Sequence, residues 1–164
     1  MTDTPLATEA SQETAKKLMV AATYASVSVA VVLIVAKLGA WLFTDSVSLL
    51  SSFADSVLDA AASLVNLLAV RSALQPADRE HRFGHGKAES LAGLAQAAFI
   101  AGSGVFLLLE SVERLITPRA VDHGLIGIAV MGVSIILTAV LVGFQMYVVK
   151  RTNSIAIAAD SLHY

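Results

Sequence analysis

Two aspartates that could bind a cation or a proton, Asp55 and Asp59, lie four residues apart in an apolar stretch that covers residues 46–70. On a helix this spacing places both carboxylates on one face, one turn apart. At 1.5 Å of rise per residue, they lie about 14 Å and about 18 Å from the nearer ends of the stretch. Two carboxylates this close repel each other unless a proton or a cation relieves the charge. The pair therefore predicts a buried site for a cation or for protons.

The aspartate pair alone leaves three interpretations open. It could bind a cation, it could relay protons without metal, or it could consist of protonated carboxyls that only pack through hydrogen bonds. An intramembrane aspartyl hydrolase would carry its two aspartates on facing helices around a water, whereas one helix face suits coordination better. We therefore expect a protein that is not an enzyme, with a cation site as the favoured interpretation.

A histidine near the end of the chain, His163, belongs to the segment SIAIAADSLHY, which also contains Asp160 three residues earlier. A helix starting near residue 153 or 154 places His163 about 14 Å along its axis, at a depth comparable with the aspartate pair. One imidazole and two carboxylates supply three of the four ligands of a tetrahedral, zinc-like ion. The alternative is a solvated histidine near a helix end.

A second candidate metal site consists of Asp78, His81 and His85, within the polar segment DREHRFGHGK. Two histidines four residues apart can chelate a divalent ion if the segment is helical, but Gly84 interrupts it. The alternative is a hydrated loop. Because the chain has no cysteine, any metal chemistry must use carboxylate and imidazole groups.

The elements that position these residues follow from composition. Of the 164 residues, 56% are apolar and 15% are charged, and the mean hydropathy is +0.73, which argues against a water-soluble domain. A net charge of −2 gives no support for nucleic-acid binding. We expect an all-α transmembrane bundle with four spans, at about residues 18–43, 46–70, 89–115 and 125–149, and the start of a fifth. Residues 1–17 should form a disordered tail, and Lys37 should snorkel to the membrane surface.

The basic residues predict the orientation of the bundle. One side carries Lys16, Lys17, Arg71, Arg79, Arg82, Lys87, Lys150 and Arg151, whereas the opposite loops carry only Arg114 and Arg119. By the positive-inside rule, the N-terminal tail and the 71–87 loop are cytoplasmic. We therefore expect a multi-pass protein of the inner (plasma) membrane, with lipid as its solvent.

Three segments closely resemble the cation diffusion facilitator family, in particular its bacterial ferrous-iron and zinc efflux pumps: DSVSLLSSFADSVLDAAASLVNLLAVRSALQPAD, HRFGHGKAESLAGLAQAAFI and ADSLHY. The resemblance covers residues 18–164. It implies a homodimeric, proton-coupled antiporter with six membrane spans and a cytoplasmic metal-binding domain. On this basis residues 18–164 would be a partial transmembrane domain, without the last spans and the cytoplasmic domain.

The resemblance also implies roles for individual residues. Asp55, Asp59 and His163 match ligands of the central transport site, whose fourth ligand would be an aspartate at position 167, beyond this chain. Asp78, His81 and His85 match the loop site of the iron and zinc branch. The implied function is export of Zn²⁺, or of Fe²⁺ or Cd²⁺, in exchange for protons. The alternative is a truncated membrane fragment that only packs or dimerises.

Overall fold

The part of the chain that the structure describes forms five helices and no strands. A computed structural model describes residues 5–117 and 124–164, apart from the side chains of residues 5–10 and 47. The helices are α1 (Pro5–Thr44), α2 (Val47–Ala73), α3 (Lys87–Ile116), α4 (Gly124–Thr152) and α5 (Ile155–His163). The first four are long and apolar enough to cross a membrane. The predicted all-α bundle of four spans and a fifth, shorter helix is therefore confirmed.

The N-terminal segment differs from the sequence expectation. We expected a disordered tail over residues 1–17, but α1 begins at Pro5, so the prediction is wrong for residues 5–17. Charge pairing explains part of this extension, because Lys17 Nζ lies 2.7 Å from Glu13 Oε1 at the i,i+4 spacing that stabilises exposed helices. Residues 1–4 lie outside the described part of the chain.

Two similar short turns reverse the chain, one before α2 and one before α5. Asp45 and Asn153 both have φ of 52°, the left-handed conformation that Asp and Asn adopt more readily than most residues. Each follows the last turn of a helix and is followed by a serine. Ser154 caps α5 by accepting a hydrogen bond at Oγ from the Ile157 backbone N–H at 3.3 Å. These turns set the direction of α2, which contains Asp55 and Asp59, and of α5, which contains His163.

The helices are packed most closely at the end of the bundle next to the 71–87 loop. α1 packs against α2 and α4, and α5 packs against α3 and α4. The buried apolar cluster at this end draws on all five helices and consists of Met19, Ala22, Val70, Ala92, Val148, Ala156 and Ile157. A Cβ atom added to Gly93 would lie 3.0 Å from Ile155 Cγ2. A glycine at this position lets α3 approach the start of α5, the helix that carries His163.

Candidate metal centre

The central candidate site is formed by α2 and α5, which bring Asp59 and His163 together. His163 Nε2 lies 3.0 Å from Asp59 Oδ1, and the histidine side chain is only 7% exposed. Nε2 is buried and makes no hydrogen bond, so the contact is close but not aligned as donor and acceptor. Two ligands of a tetrahedral zinc ion, each about 2.1 Å from the metal, lie about 3.4 Å apart. The pair therefore has the spacing of two ligands that share one ion.

Asp55 lies one helical turn away from this pair, on the wall of the same cavity. The cavity has a volume of about 600 Å³, and its lining includes Asp55, Asp59, His163, Phe99 and Ser103. Among the described residues, three ligand atoms lie within 4.8 Å of one another only in the 71–87 loop. The structure thus brings Asp59 and His163 into contact but keeps Asp55 apart. Coordination by all three side chains requires Asp55 to move toward the other two.

Asp55 also borders a second cavity between α2, α3 and α4. This space has a volume of about 740 Å³, and hydroxyl and charged groups line part of it, including Ser51, Ser52, Glu110 and Arg114. Arg114 Nη2 donates a hydrogen bond to Glu110 Oε1 at 2.6 Å. Asp55 is therefore shared by two cavities, one that contains the Asp59–His163 pair and one that extends toward the opposite end of the bundle.

Lys37 is not where the sequence analysis placed it. The expectation that it reaches the membrane surface is wrong, because Lys37 is only 8% exposed. Its ammonium group points from α1 into α2, where Nζ donates hydrogen bonds to Ser56 Oγ at 2.7 Å and to the Ser52 carbonyl at 3.2 Å. The small serines of α2 leave room for this long side chain. The aspartate-bearing helix therefore has a buried positive charge beside it.

Sequence reasoning also missed a buried polar group around α5. Asp160 is 1% exposed, and its Oδ2 accepts a hydrogen bond from Gln145 Nε2 of α4 at 2.7 Å. The Tyr164 hydroxyl lies 2.8 Å from Ser63 Oγ, which in turn accepts from Ser26 Oγ at 2.9 Å. Polar residues isolated in apolar spans are a signal for such contacts. These bonds fix the rotation of α5 and therefore the direction of His163.

The loop candidate, Asp78, His81 and His85, does come together in the structure. Asp78 Oδ1 lies 3.3 Å from His81 Nδ1, and Oδ2 lies 3.5 Å from His85 Nε2. The two imidazole rings are 4.4 Å apart between centroids. The segment is not helical, and Gly84, at a φ of 78°, turns the chain so that the histidines meet. The glycine that was expected to interrupt a helical site therefore shapes a loop site.

The electrostatics of the loop favour an ionised carboxylate. Asp78 Oδ1 accepts hydrogen bonds from the backbone N–H groups of His81 at 2.5 Å and Glu80 at 3.0 Å. The hydrogen bond from the His81 N–H is the main cause that holds the pKa of Asp78 below its usual range. His85 Nδ1 is buried without a hydrogen-bond partner. The loop thus offers one carboxylate and two imidazoles to a divalent ion.

Comparison with known proteins places the chain in a family. The family described as the cation efflux transmembrane domain matches residues 23–164. Similar curated proteins include the cation-efflux pumps FieF of Cronobacter sakazakii, 51% identical over 148 residues, and of Salmonella arizonae, 50% identical over 152 residues. These matches cover 90% and 93% of this chain and 49% and 51% of the relatives. The chain therefore spans about half the length of these relatives. As the resemblance predicted, it belongs to the cation efflux family of membrane proteins.

Proposed function

We propose that the full-length protein exports a divalent metal cation from the cytoplasm in exchange for protons, with Zn²⁺ as its main cargo. The observation that carries this proposal is the buried contact of Asp59 and His163, in which His163 Nε2 lacks a hydrogen-bond partner. The pumps named above, which resemble this chain, are described as cation-efflux pumps. Carboxylate and imidazole ligands suit zinc and also Fe²⁺ or Cd²⁺.

Competition between metal and protons supplies the coupling. Metal binds the deprotonated forms of carboxylates and imidazole, and metal binding releases any protons that these groups hold. In a state open to the cytoplasm, Asp55, Asp59 and His163 bind the ion. In a state open to the other side, protons replace it. Relative movement of the ligand-bearing helices α2 and α5 would expose the site to the two sides in turn.

Asp55 is the residue whose movement could complete the metal site. This residue lines both the cavity that contains Asp59 and His163 and the cavity that extends toward the opposite end of the bundle. A turn of its side chain toward the pair would complete a three-ligand site. The reverse movement would leave the ion with two ligands, which favours release. Asp55 is therefore proposed as the ligand whose position changes during transport.

Further parts of the proposal concern the whole protein. We propose that the 71–87 loop faces the cytoplasm, that Asp78, His81 and His85 bind a second divalent ion there, and that the protein acts as a homodimer in the plasma membrane. The positive-inside rule supports the orientation. The three loop ligand atoms within 4.8 Å of one another support the second metal site.

Zinc uptake into inverted vesicles tests the transport proposal. Vesicles containing the full-length protein should take up zinc when a proton gradient is applied, and Asp59→Ala should abolish this uptake. Asp45→Asn is the matched control, because Asp45 lies in the α1–α2 turn and asparagine keeps its left-handed conformation. Full uptake by a normally folded Asp59→Ala protein would contradict the proposal. Absence of uptake by the unmodified protein would favour the alternative of a bundle that only packs or dimerises.

A further inference from the structure

Lys37 is a charged residue that lies near the candidate metal centre but is not one of its proposed ligands. We propose that Lys37 is a fixed positive charge that weakens the binding of a divalent cation to the central site and favours its release. The inference rests on the proposed function, because it concerns the affinity of the site formed by Asp55, Asp59 and His163. It makes Lys37 a residue that sets affinity without touching the metal.

The geometry places Lys37 beside the two aspartates without using their oxygens. Its Nζ atom contacts Ser56, which lies between Asp55 and Asp59 in the sequence of α2. The hydrogen bonds to Ser56 Oγ and the Ser52 carbonyl go to neutral acceptors. Ser52 and Ser56 lie in the same two turns of α2 as Asp55 and Asp59, so these hydrogen bonds hold the ammonium group beside the aspartate pair. The carboxylate oxygens therefore remain available to a metal while the lysine charge stays close to them.

Counting charges gives the direction of the effect. Two ionised aspartates carry two negative charges, and the further aspartate that the family resemblance implies would add a third. With either ligand set, the ammonium group attracts the aspartates when the site is empty and repels the divalent ion when the site is loaded. Charges buried in a medium of low dielectric constant interact strongly and are little screened by salt. Lys37 therefore stabilises the empty, ionised site and opposes the loaded one.

A purely structural role would have a different consequence. If Lys37 only linked α1 to α2 through Ser52 and Ser56, removing it would lower the thermal stability of the bundle and loosen the metal site. Metal affinity would then stay constant or decrease. The electrostatic role predicts the opposite change, an increase in metal affinity. The sign of the affinity change therefore separates the two roles.

Zinc affinity should be measured by isothermal titration calorimetry on the full-length protein in detergent. All proteins should carry His85→Ala to remove the loop site. Because the implied cytoplasmic domain would bind metal of its own, the heat assigned to the central site is the part that Asp59→Ala removes. Lys37→Met, which keeps the length but removes the charge, should bind zinc about tenfold more tightly or better. Lys37→Arg should stay near the unmodified affinity. Lys150→Met is the matched control, since Lys150 is exposed at the end of α4 and should have no effect.

The rate of release gives a second readout. When a chelator is mixed with the zinc-loaded protein, Lys37→Met should lose its zinc more slowly than the unmodified protein. If Lys37→Met does not fold, Lys37→Gln takes its place, because glutamine also lacks the charge but keeps an N–H donor. Unchanged or weaker zinc binding by a folded, uncharged variant would overturn the inference.

Asp59→Ala, measured in the same way, separates the inference from the proposed function. If Asp59→Ala removes one class of zinc sites while Lys37→Met leaves the affinity of that class unchanged, the metal site stands and only the role of Lys37 fails. If Asp59→Ala binds zinc normally, the metal site itself fails and the role of Lys37 fails with it.

Discussion

Among the residues that the structure describes, carboxylate and imidazole groups meet at two places, in different surroundings. In the bundle, His163 is nearly buried and its Nε2 lies 3.0 Å from Asp59 Oδ1. In the loop, Asp78 and His81 are about half exposed, with 51% and 55% of their side-chain surface accessible. Water could readily replace a metal bound in the loop. On the proposed function, an ion in the buried bundle site would leave only when protons replace it or when the helices rearrange. The two sites should therefore differ more in exchange rate than in ligand type.

The loop site should lose zinc as the pH falls. Protons compete with a metal ion for imidazole nitrogens, so metal affinity of such a site falls as protons become more abundant. The His81 N–H holds the pKa of Asp78 below its usual range, so that carboxylate stays ionised. Zinc titrations of the Asp59→Ala protein between about pH 7.5 and 5.5 should show affinity falling with pH. Affinity that does not change over this range, or an Asp78→Ala variant that binds as much zinc as its parent, would contradict a site built from these residues.

At the residue scale, the sequence predicted a set of candidate ligands but not which of them touch. The i,i+4 spacing of Asp55 and Asp59 places them on one face, yet only Asp59 contacts His163. The direction of the Lys37 side chain could not be predicted. Whether it extends to the membrane surface or is buried in the bundle depends on which side of α1 faces α2, and the sequence of α1 alone does not give this. The partner of Asp160 was also missed, because Gln145 belongs to a different helix and the contact depends on how α4 and α5 pack.

At the scale of elements, the position of α5 decides the geometry of the metal centre. This nine-residue helix starts at a Ser154 cap and packs against α3 at Gly93. Glu89 of α3 strengthens the same junction, because its Oε1 accepts a hydrogen bond from Ser154 Oγ at 2.5 Å. The junction of α3 and α5 is therefore a structural support for His163, about two helical turns away from it.

Gly93→Val should destabilise this junction. The added Cβ would lie 3.0 Å from Ile155 Cγ2, and the two further methyl groups have to displace α5 or its side chains. Overpacking of this kind costs about 1 to 3 kcal/mol, so thermal unfolding of the full-length protein should show a Tm lower by several degrees. Gly143→Val is the matched control, because a Cβ there meets no atom within 4 Å. Equal Tm values for the two variants would show that α3 and α5 are not in close contact.

The helices themselves were largely predictable because the bilayer fixes their length. Apolar runs of about 25 residues predict spans, and α2, α3 and α4 extend only a few residues beyond the predicted stretches. The N-terminal extension of α1 was missed because hydropathy carries no information about a polar helix outside the membrane. The arrangement of the helices was not predictable from spacing, because it depends on contacts such as Gly93 with Ile155.

At the scale of the whole molecule, large apolar side chains on the outside of α3 and α4 match a lipid environment. Leu108, Leu115, Ile128 and Val140 are each more than half exposed. Lipid can cover such surfaces without cost, whereas the polar groups of the bundle are turned inward. The polar interior and apolar exterior together place Asp59 and His163, the candidate metal ligands, among the helices of a membrane protein.

Labelling of single cysteines tests the orientation of the molecule. Because residues 1–164 contain no cysteine, Gln75→Cys and Asp45→Cys each introduce one label site, provided that cysteines elsewhere in the full-length protein are replaced by serine. A membrane-impermeant maleimide should label Gln75→Cys in inverted vesicles and Asp45→Cys in intact cells, since the proposed orientation places the basic loop in the cytoplasm. The reverse pattern would mean that the bundle is inserted in the opposite direction.

The most direct test of the central claim is the location of zinc in the full-length protein, determined from anomalous diffraction of zinc-loaded crystals. We predict a peak inside the bundle, within about 2.0 to 2.2 Å of an Asp59 carboxylate oxygen and His163 Nε2, that is lost in Asp59→Ala. Zinc peaks that appear only at the loop or elsewhere, with none between Asp59 and His163, would contradict the account.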